Sequence, residues 1–332
     1  MIMKKRFSLI ILMALLSMGV QAGDVLYGEI DGTNMIVKCG DFAPEGSVLL
    51  RNWESKVSIS IRKSITSVTI DTSCTSYTGT SLDHLFAEFE KLKTITGLSN
   101  LNTTNVTSTA YMFYYCCSLS SLDFSGFNTT SITAMSGMFH GCSALTSLDL
   151  SSFNTTNVKY MDFMFHGCMM LTSLDVSSFN TSNVIAMSFM FGYCNYLSSL
   201  DLSAFNTVNV VHMDNMFTHC YALTTIYVGD WNTDNVRYDS EIFTHCSKLV
   251  GGAGTRYDEK HTDKEYARID GGPSAPGYFT DIKTKALGIK DVTKSKMTEF
   301  HTPIYNLQGQ QLTSVPKKGI YIQNGKKVII KK

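Results

Sequence analysis

Apolar side chains along residues 101–250 recur on a fixed step of 26. "SLDFSGFNTTSITAMSGMFHGC" begins at Ser121, "SLDLSSFNTTNVKYMDFMFHGC" at Ser147, "SLDVSSFNTSNVIAMSFMFGYC" at Ser173 and "SLDLSAFNTVNVVHMDNMFTHC" at Ser199. A degraded copy starts at Thr225 and a partial one at Leu101. Within each unit Leu145, Leu148 and Leu150, or Leu171, Leu174 and Val176, or Leu197, Leu200 and Leu202 alternate closely. That pattern predicts a short strand with one buried face. The next apolar positions, Val158, Met161, Met164, Phe165, Cys168 and Leu171, step by three and four. That spacing predicts a helical or 3-10 return segment. Upstream, Leu85, Phe86, Phe89, Leu92 and Ile95, and before them Ile65, Val68 and Ile70, keep a weaker pattern at a step of 27.

Strand, turn and irregular helix in 26 residues predict an α/β solenoid, a leucine-rich-repeat array of rungs with short parallel strands over residues 64–250. One rung cannot bury its apolar face alone, so stability becomes a property of neighbouring rungs. Equivalent residues then stand roughly 5 Å apart in columns. Met138, Met164, Met190 and Met216 form one column, and Phe139, Phe165, Phe191, Phe217 and Phe243 another. Cys116, Cys142, Cys168, Cys194, Cys220 and Cys246 form a third. Chemistry needed at one catalytic site would not recur once per rung.

A solenoid needs covered ends. Residues 23–63 read as a small β cap, because "MIVKCG" and "VSISIRKS" alternate between Gly and Pro positions. Residues 251–282, rich in Gly and aromatics, read as an irregular C-terminal cap. Residues 283–302 are Lys-rich and read as a linker. Residues 303–332 show short β patterns separated by turns at Gly309, Pro316 and Asn324-Gly325, a small β module. At the other end, Lys4, Lys5 and Arg6 precede an apolar run from Phe7 to Leu16. Residues 1–22 therefore read as a secretory signal peptide cleaved between Ala22 and Gly23. No other segment is apolar enough to span a bilayer.

Charge sharpens this picture. Beyond residue 22 the chain has 25 basic and 28 acidic residues, and residues 101–250 hold ten acids against three bases. Residues 281–332 hold eleven Lys and three acids. An acidic body excludes nucleic acid as its partner, since phosphate binding needs a positive surface.

Each reactive residue type has a plain alternative. The six column Cys read as small buried hydrophobes whose side chains point the same way. Cys39 and Cys74 stand outside the column and could pair as a disulfide, and Cys117 has no evident role. His140, His166, His219 and His245 shift register relative to the column Cys, which four converging zinc ligands would not, so they read as exposed turn residues. Neither a metal nor a cofactor is expected. The Asn column (Asn128, Asn154, Asn180) keeps Asn206 and Asn232 where the glycosylation sequon is lost, so it reads as turn chemistry.

The outward strand face carries Ser121, Asp123 and Ser125, then Ser147, Asp149 and Ser151, Ser173, Asp175 and Ser177, and Ser199, Asp201 and Ser203. Stacked carboxylates repel, by about 0.8 kcal/mol at ~5 Å in water. Either each Asp accepts local hydrogen bonds, or the row binds a cation or a basic partner. Tyr227 breaks the row in the last rung. A repeated row is not the isolated carboxylate pair of a glycosidase.

The units "LDLSSFNTTNVKYMDFMFHGC" resemble those of the BspA-like family of leucine-rich-repeat bacterial surface proteins, over residues ~94–250. "YARIDGGPSAPGYFT" resembles the segment that follows the repeats in such proteins. The tail "IYNLQGQQL…GIYIQNGKKVIIK" is similar to the C-terminal sorting domains of the type IX secretion system. The resemblance implies export across a Gram-negative outer membrane, then surface attachment or release. It also implies a non-enzymatic, adhesin-like role, with a protein or glycan on host or bacterial surfaces as ligand and the secretion machinery as the tail's partner. The alternative is a structural surface-layer or fimbria-like protein that self-associates through its ends.

Overall fold

The computed structural model describes residues 23–45, 47–50 and 57–286, and strand residues between 304 and 330. The expected leader with Ala22 lies outside the described residues, as does the expected linker beyond residue 286.

The body is a β-solenoid of about six turns. Its backbone ladder runs along the Met–Phe side of the coil. One parallel bridge follows another through Ser81, Ser108, Ala134, Tyr160, Ala186, His212 and Tyr238. Past each bridge, every second N–H donates to the next rung. Met161, Phe163, Phe165 and Gly167 donate to the carbonyls of Ala186, Ser188, Met190 and Gly192 at 2.8–3.0 Å. The intervening N–H groups close local turns, Met164 to Met161, His166 to Phe163 and Cys168 to Phe165.

This corrects the expected helical or 3-10 return segment, of which only isolated i→i+3 turns are present. No helix occurs between residues 101 and 250. A chain of i→i+3 turns also brings side chains three and four apart to one face, so apolar spacing alone did not separate the two.

The expected strands are corrected as well. Residues 121–124, 147–150 and 173–176 form no strand, and no backbone hydrogen bond joins them to a neighbouring rung. Pairing on this side begins with β6 (Ser199–Leu202), which runs parallel to β7 (Thr225–Val228), which in turn pairs with β8 (Phe279–Asp281). There the sequence turns β-branched and aromatic, Thr225, Ile226, Tyr227 and Val228, which favours a pleated surface.

The core is a continuous stack. Phe86, Phe113, Phe139, Phe165, Phe191, Phe217 and Phe243 lie ring over ring with centroids 5.6–5.9 Å apart. Tyr278 and Phe279 close the stack edge-on against Phe243 at 5.1 and 5.7 Å. Asp270 is buried under this end and accepts from the Ala253, Thr255 and Gly272 N–H groups and the Thr255 hydroxyl.

At the N-terminal end β1 (Val25–Asp31) and β2 (Asn34–Gly40) form an antiparallel hairpin, with β3 (Val48–Leu49) on the outer edge of β1. β2 continues in parallel into β4 (Ser67–Ile70) and β5 (Thr94–Thr96). The alternation in "VSISIRKS" does not give a strand. Ile59–Arg62 is one helical turn, its Ser58 Oγ accepting the Ile61 N–H, and Arg62 pairs with Glu88 at 2.9 Å. The cap and this ion pair tie the segment to the first rungs instead of to the sheet.

The tail forms a separate antiparallel sheet in the order β10–β9–β11–β12, from β9 (Ile304–Tyr305), β10 (Gln311–Leu312), β11 (Gly319–Gln323) and β12 (Lys326–Ile330). Among the described residues no helix is long and apolar enough to cross a membrane.

Candidate functional site

Three polar columns turn out to be scaffold devices. Thr129, Thr155, Thr181 and Thr207 are buried, and each hydroxyl serves the Asn one rung on. Thr155 Oγ1 accepts the Asn180 N–H at 2.8 Å and donates to the Asn180 carbonyl at 2.9 Å. The Asn side chain meanwhile accepts the N–H two residues ahead, as Asn154 does from Thr156 at 3.0 Å. A second Asn reaches back, with Asn183 Nδ2 donating to the Thr156 carbonyl at 2.8 Å. The "NTTN" of the sequence is therefore a side-chain ladder that replaces backbone pairing across this corner.

The Cys column is the third device. Each thiol donates to the Phe carbonyl of the rung before, Cys142 to Phe113, Cys168 to Phe139, Cys194 to Phe165 and Cys220 to Phe191 at 3.1–3.3 Å. Cys116 and Cys246 do the same to Phe86 and Phe217. Burial pushes every one of these thiols up, Cys220 to about 12. A thiol held protonated is neither nucleophile nor metal ligand.

The expected Cys39–Cys74 bridge is not formed. Both side chains are free and buried. Each thiol is turned onto a backbone carbonyl, Cys39 to Gly23 at 2.8 Å and Cys74 to Val37 at 3.4 Å. Among the described residues no cluster of three His, Cys, Asp or Glu could hold a metal ion.

On the Asp–Ser side, Asp123, Asp149, Asp175 and Asp201 each accept the N–H of the Ser two residues ahead, at 2.9–3.0 Å. These are Asx turns that bend the chain out of the Leu segment. The bonds from Ser125, Ser151 and Ser177 hold the Asp123, Asp149 and Asp175 carboxyls below the usual range. These three carboxylates are exposed and ionised near neutral pH. Ser121, Ser147, Ser173 and Ser199 beside them are exposed too, and Ser203 is half-buried.

His140, His166 and His219 depart from the expected exposure, whereas His245 is exposed. His140 and His166 are half-buried, and burial, with a smaller effect from neighbouring imidazoles, lowers both to about 4. They belong to a row of rings. Tyr115, His140, His166, Tyr193, His219 and His245 follow one another with centroids 5.5, 4.5, 5.2, 4.2 and 4.4 Å apart.

The backbone under this row is unusual. Among the described residues, the non-glycine positive-φ positions fall in two repeat columns only. One holds His84, Tyr111, Phe163, Phe189, Asn215 and Glu241, the other Glu88, Tyr115, Tyr193, His219 and His245. Gly137 occupies the first column, and Gly141 and Gly167 the second, at φ of 60°, 76° and 72°. Left-handed backbone costs a side-chain-bearing residue roughly 1–2 kcal/mol and glycine little. The same chain therefore uses glycine in some rungs and accepts strain in others, where in eight of eleven positions the side chain is a ring. Sequence reading missed Tyr115 and Tyr193, although glycine alternating with an aromatic at one repeat position was the available signal.

A shallow cleft of about 230 Å³ lies near the first rungs, lined by Ser99, Asn100, Asn102, Thr104 and Asn128 among others. It gathers neutral amides and hydroxyls and no acid, base or nucleophile.

These features define a solenoid of stacked 26-residue coils. Residues 80–196 and 168–266 match the family model described as "Mycoplasma protein of unknown function, DUF285", which together is more than half of the chain. The chain belongs to that family. No curated protein matches. Among solved structures it is similar to a leucine rich cell surface protein from Faecalibacterium prausnitzii A2-165, at 17% identity over 65% of this chain, with a TM-score of 0.36. The match spans 56% of that protein's chain. It is also similar to a leucine-rich repeat protein from Bacteroides ovatus ATCC 8483, at 15% identity over 69% of this chain and 80% of that one, with a TM-score of 0.22.

Proposed function

We propose that this chain is a non-enzymatic binding protein of a bacterial surface, adhesin-like, that presents its Asp–Ser side to a protein or glycan on host or bacterial cells. The observation that carries this reading is the row of exposed, ionised carboxylates at Asp123, Asp149 and Asp175, repeated from rung to rung. A repeated row of like charge favours a basic ligand that touches several rungs at once. The column thiols recur one per rung and are tied into the scaffold, and the imidazoles are scattered along the coil, which supports binding over catalysis.

Residues 1–22 serve as the export leader, and residues 303–332 as the module that type IX secretion machinery recognises. The chain is then held at the outer membrane or released. Self-association through the ends fits poorly, because Tyr278 and Phe279 cover the last rung and the β1–β2 hairpin extends from the first strands.

The test is an array of host matrix proteins and glycans probed with the full chain and with Asp149→Ala/Asp175→Ala/Asp201→Ala. The reading expects at least tenfold weaker binding to the captured ligand, with the solenoid still folded at the assay temperature despite the lost Asx turns. Binding that survives the triple substitution would move the site away from this side.

A further inference from the structure

The row of rings described above carries a second surface. It runs unbroken over six consecutive rungs, and its flanks are apolar. Tyr115 is 43% exposed and Tyr221 45%, and Tyr221 leans on both His219 and His245. Met169 holds in its rung the place that Tyr221 holds two rungs on, and it and Met170 are 42% and 45% exposed. The corner segments 111–118, 137–144, 163–170, 189–196 and 215–222 contain no Asp, Glu, Lys or Arg, and the sixth, 241–248, carries one charge of each sign, Glu241 and Lys248. On a body with ten acids and three bases over residues 101–250, the first five rungs form a long strip free of charge.

We infer that this ridge is a self-association surface, against which a second copy of the chain lays its own ridge, antiparallel about a two-fold axis. Two observations select a second copy over another partner. The first is pitch. Rings placed every 4.2–5.5 Å along six rungs match over their whole length only a surface with the same repeat, and a second copy has it by construction. A two-fold contact brings one patch against itself, the commonest arrangement among homo-oligomers. The second is charge. Two acidic bodies repel wherever their carboxylates meet, and five of the six rungs of the ridge let them approach with none between them.

Area sets the strength. The half-exposed side chains of Tyr115, Met169, Met170, Tyr196 and Tyr221, at roughly 100 Å² each, give about 500 Å² per copy. That is below the ~800 Å² per partner of a standard stable interface, so the dimer is weak and reversible. The inference stands apart from binding at the Asp–Ser side, and either can fail without the other.

Sedimentation velocity of the full chain from ~1 to ~100 µM reads the outcome directly. The expected result is a weight-average mass that climbs from monomer towards dimer across that range. Tyr115→Gly/Tyr193→Gly removes two rings at positions whose backbone suits glycine, and should shift the midpoint upward at least tenfold. Met169→Glu places like charges across the two-fold axis without touching the core. It should leave the chain monomeric with an unchanged melting temperature, which keeps the test valid should the glycine pair destabilise the coil. Asp149→Ala/Asp175→Ala should dimerise as the wild type does. A wild type that stays monomeric at ~100 µM, or a Met169→Glu chain that associates like the wild type, overturns the inference.

Discussion

The two long sides of the coil are built on opposite plans. On the Met–Phe side, backbone holds the rungs together, with forward hydrogen bonds from Met187, Phe189, Phe191 and Tyr193 to the rung beyond. On the Asp–Ser side, residues 147–150 have no backbone bond to either neighbour, and side chains do the fastening through Thr155 and Asn183. The consequence for sequence is opposite as well. Where side chains fasten, they repeat, as the Asn–Thr pairs do. Where backbone fastens, exposed positions are released to vary, and the left-handed column from Tyr115 onward reads Tyr, Gly, Gly, Tyr, His, His. Repetition of buried or fastening side chains in this protein marks scaffold, and variation appears at exposed positions on the backbone-held side.

The comparison can be broken at several points. The largest effect is expected in the shared core. Phe165→Ala opens a cavity between Phe139 and Phe191 and should cost about 3–5 kcal/mol in urea unfolding. Next is the side-chain ladder. Thr155→Val keeps shape but removes both bonds to the part-buried Asn180 N–H and carbonyl, and should cost about 1–2 kcal/mol, read the same way. A loss under ~0.5 kcal/mol would mean that the Asp–Ser side is fastened by something other than these hydroxyls.

Acid should act through the ridge. His140 and His166 stay neutral in the fold down to about 4, whereas unfolded imidazole takes a proton near 6.5. The unfolded chain thus binds more protons over that window, and stability falls as pH drops from about 6.5 towards 4. Both rings are partly exposed, so solvent screening limits the loss to about 1–2 kcal/mol for the pair. His140→Phe/His166→Phe should flatten the melting temperature between pH 7 and pH 4.5, and an unflattened profile would place the acid sensitivity elsewhere. Smallest of all is Gly167→Ala. It places a side chain at φ +72° with room around it, and should cost about 1 kcal/mol, the strain that Tyr193 already bears one rung on.

Much of this was legible in the sequence, for a physical reason. A period of 26 reports which side chains stack, so the Phe, Met and Cys columns could be read without coordinates. The period does not report which backbone groups pair. Spacings of three and four at Met161, Met164, Phe165 and Cys168 fit a helix and a chain of turns equally, and the turns were the outcome. Alternation at Leu145, Leu148 and Leu150 fits a strand, but the neighbouring Asx turn at Asp149 and the Thr–Asn ladder hold this side without one. Of the candidate site, the Asp–Ser positions could be picked out because they repeat. The ring ridge could not, because its members come from different repeat positions. His140 and His166 lean over the glycines that follow them to continue a row begun by Tyr115 and resumed by Tyr193.

The most direct measurement is amide hydrogen exchange resolved to single residues across one rung. If, in the rungs before β6, backbone fastens only the Met–Phe side, the Met161, Phe163, Phe165 and Gly167 amides exchange at least 100-fold more slowly than those of Leu148, Asp149 and Leu150, which lie on the opposite side of the same coil. Equal protection on the two sides, or slower exchange at Leu148 to Leu150, would contradict the account.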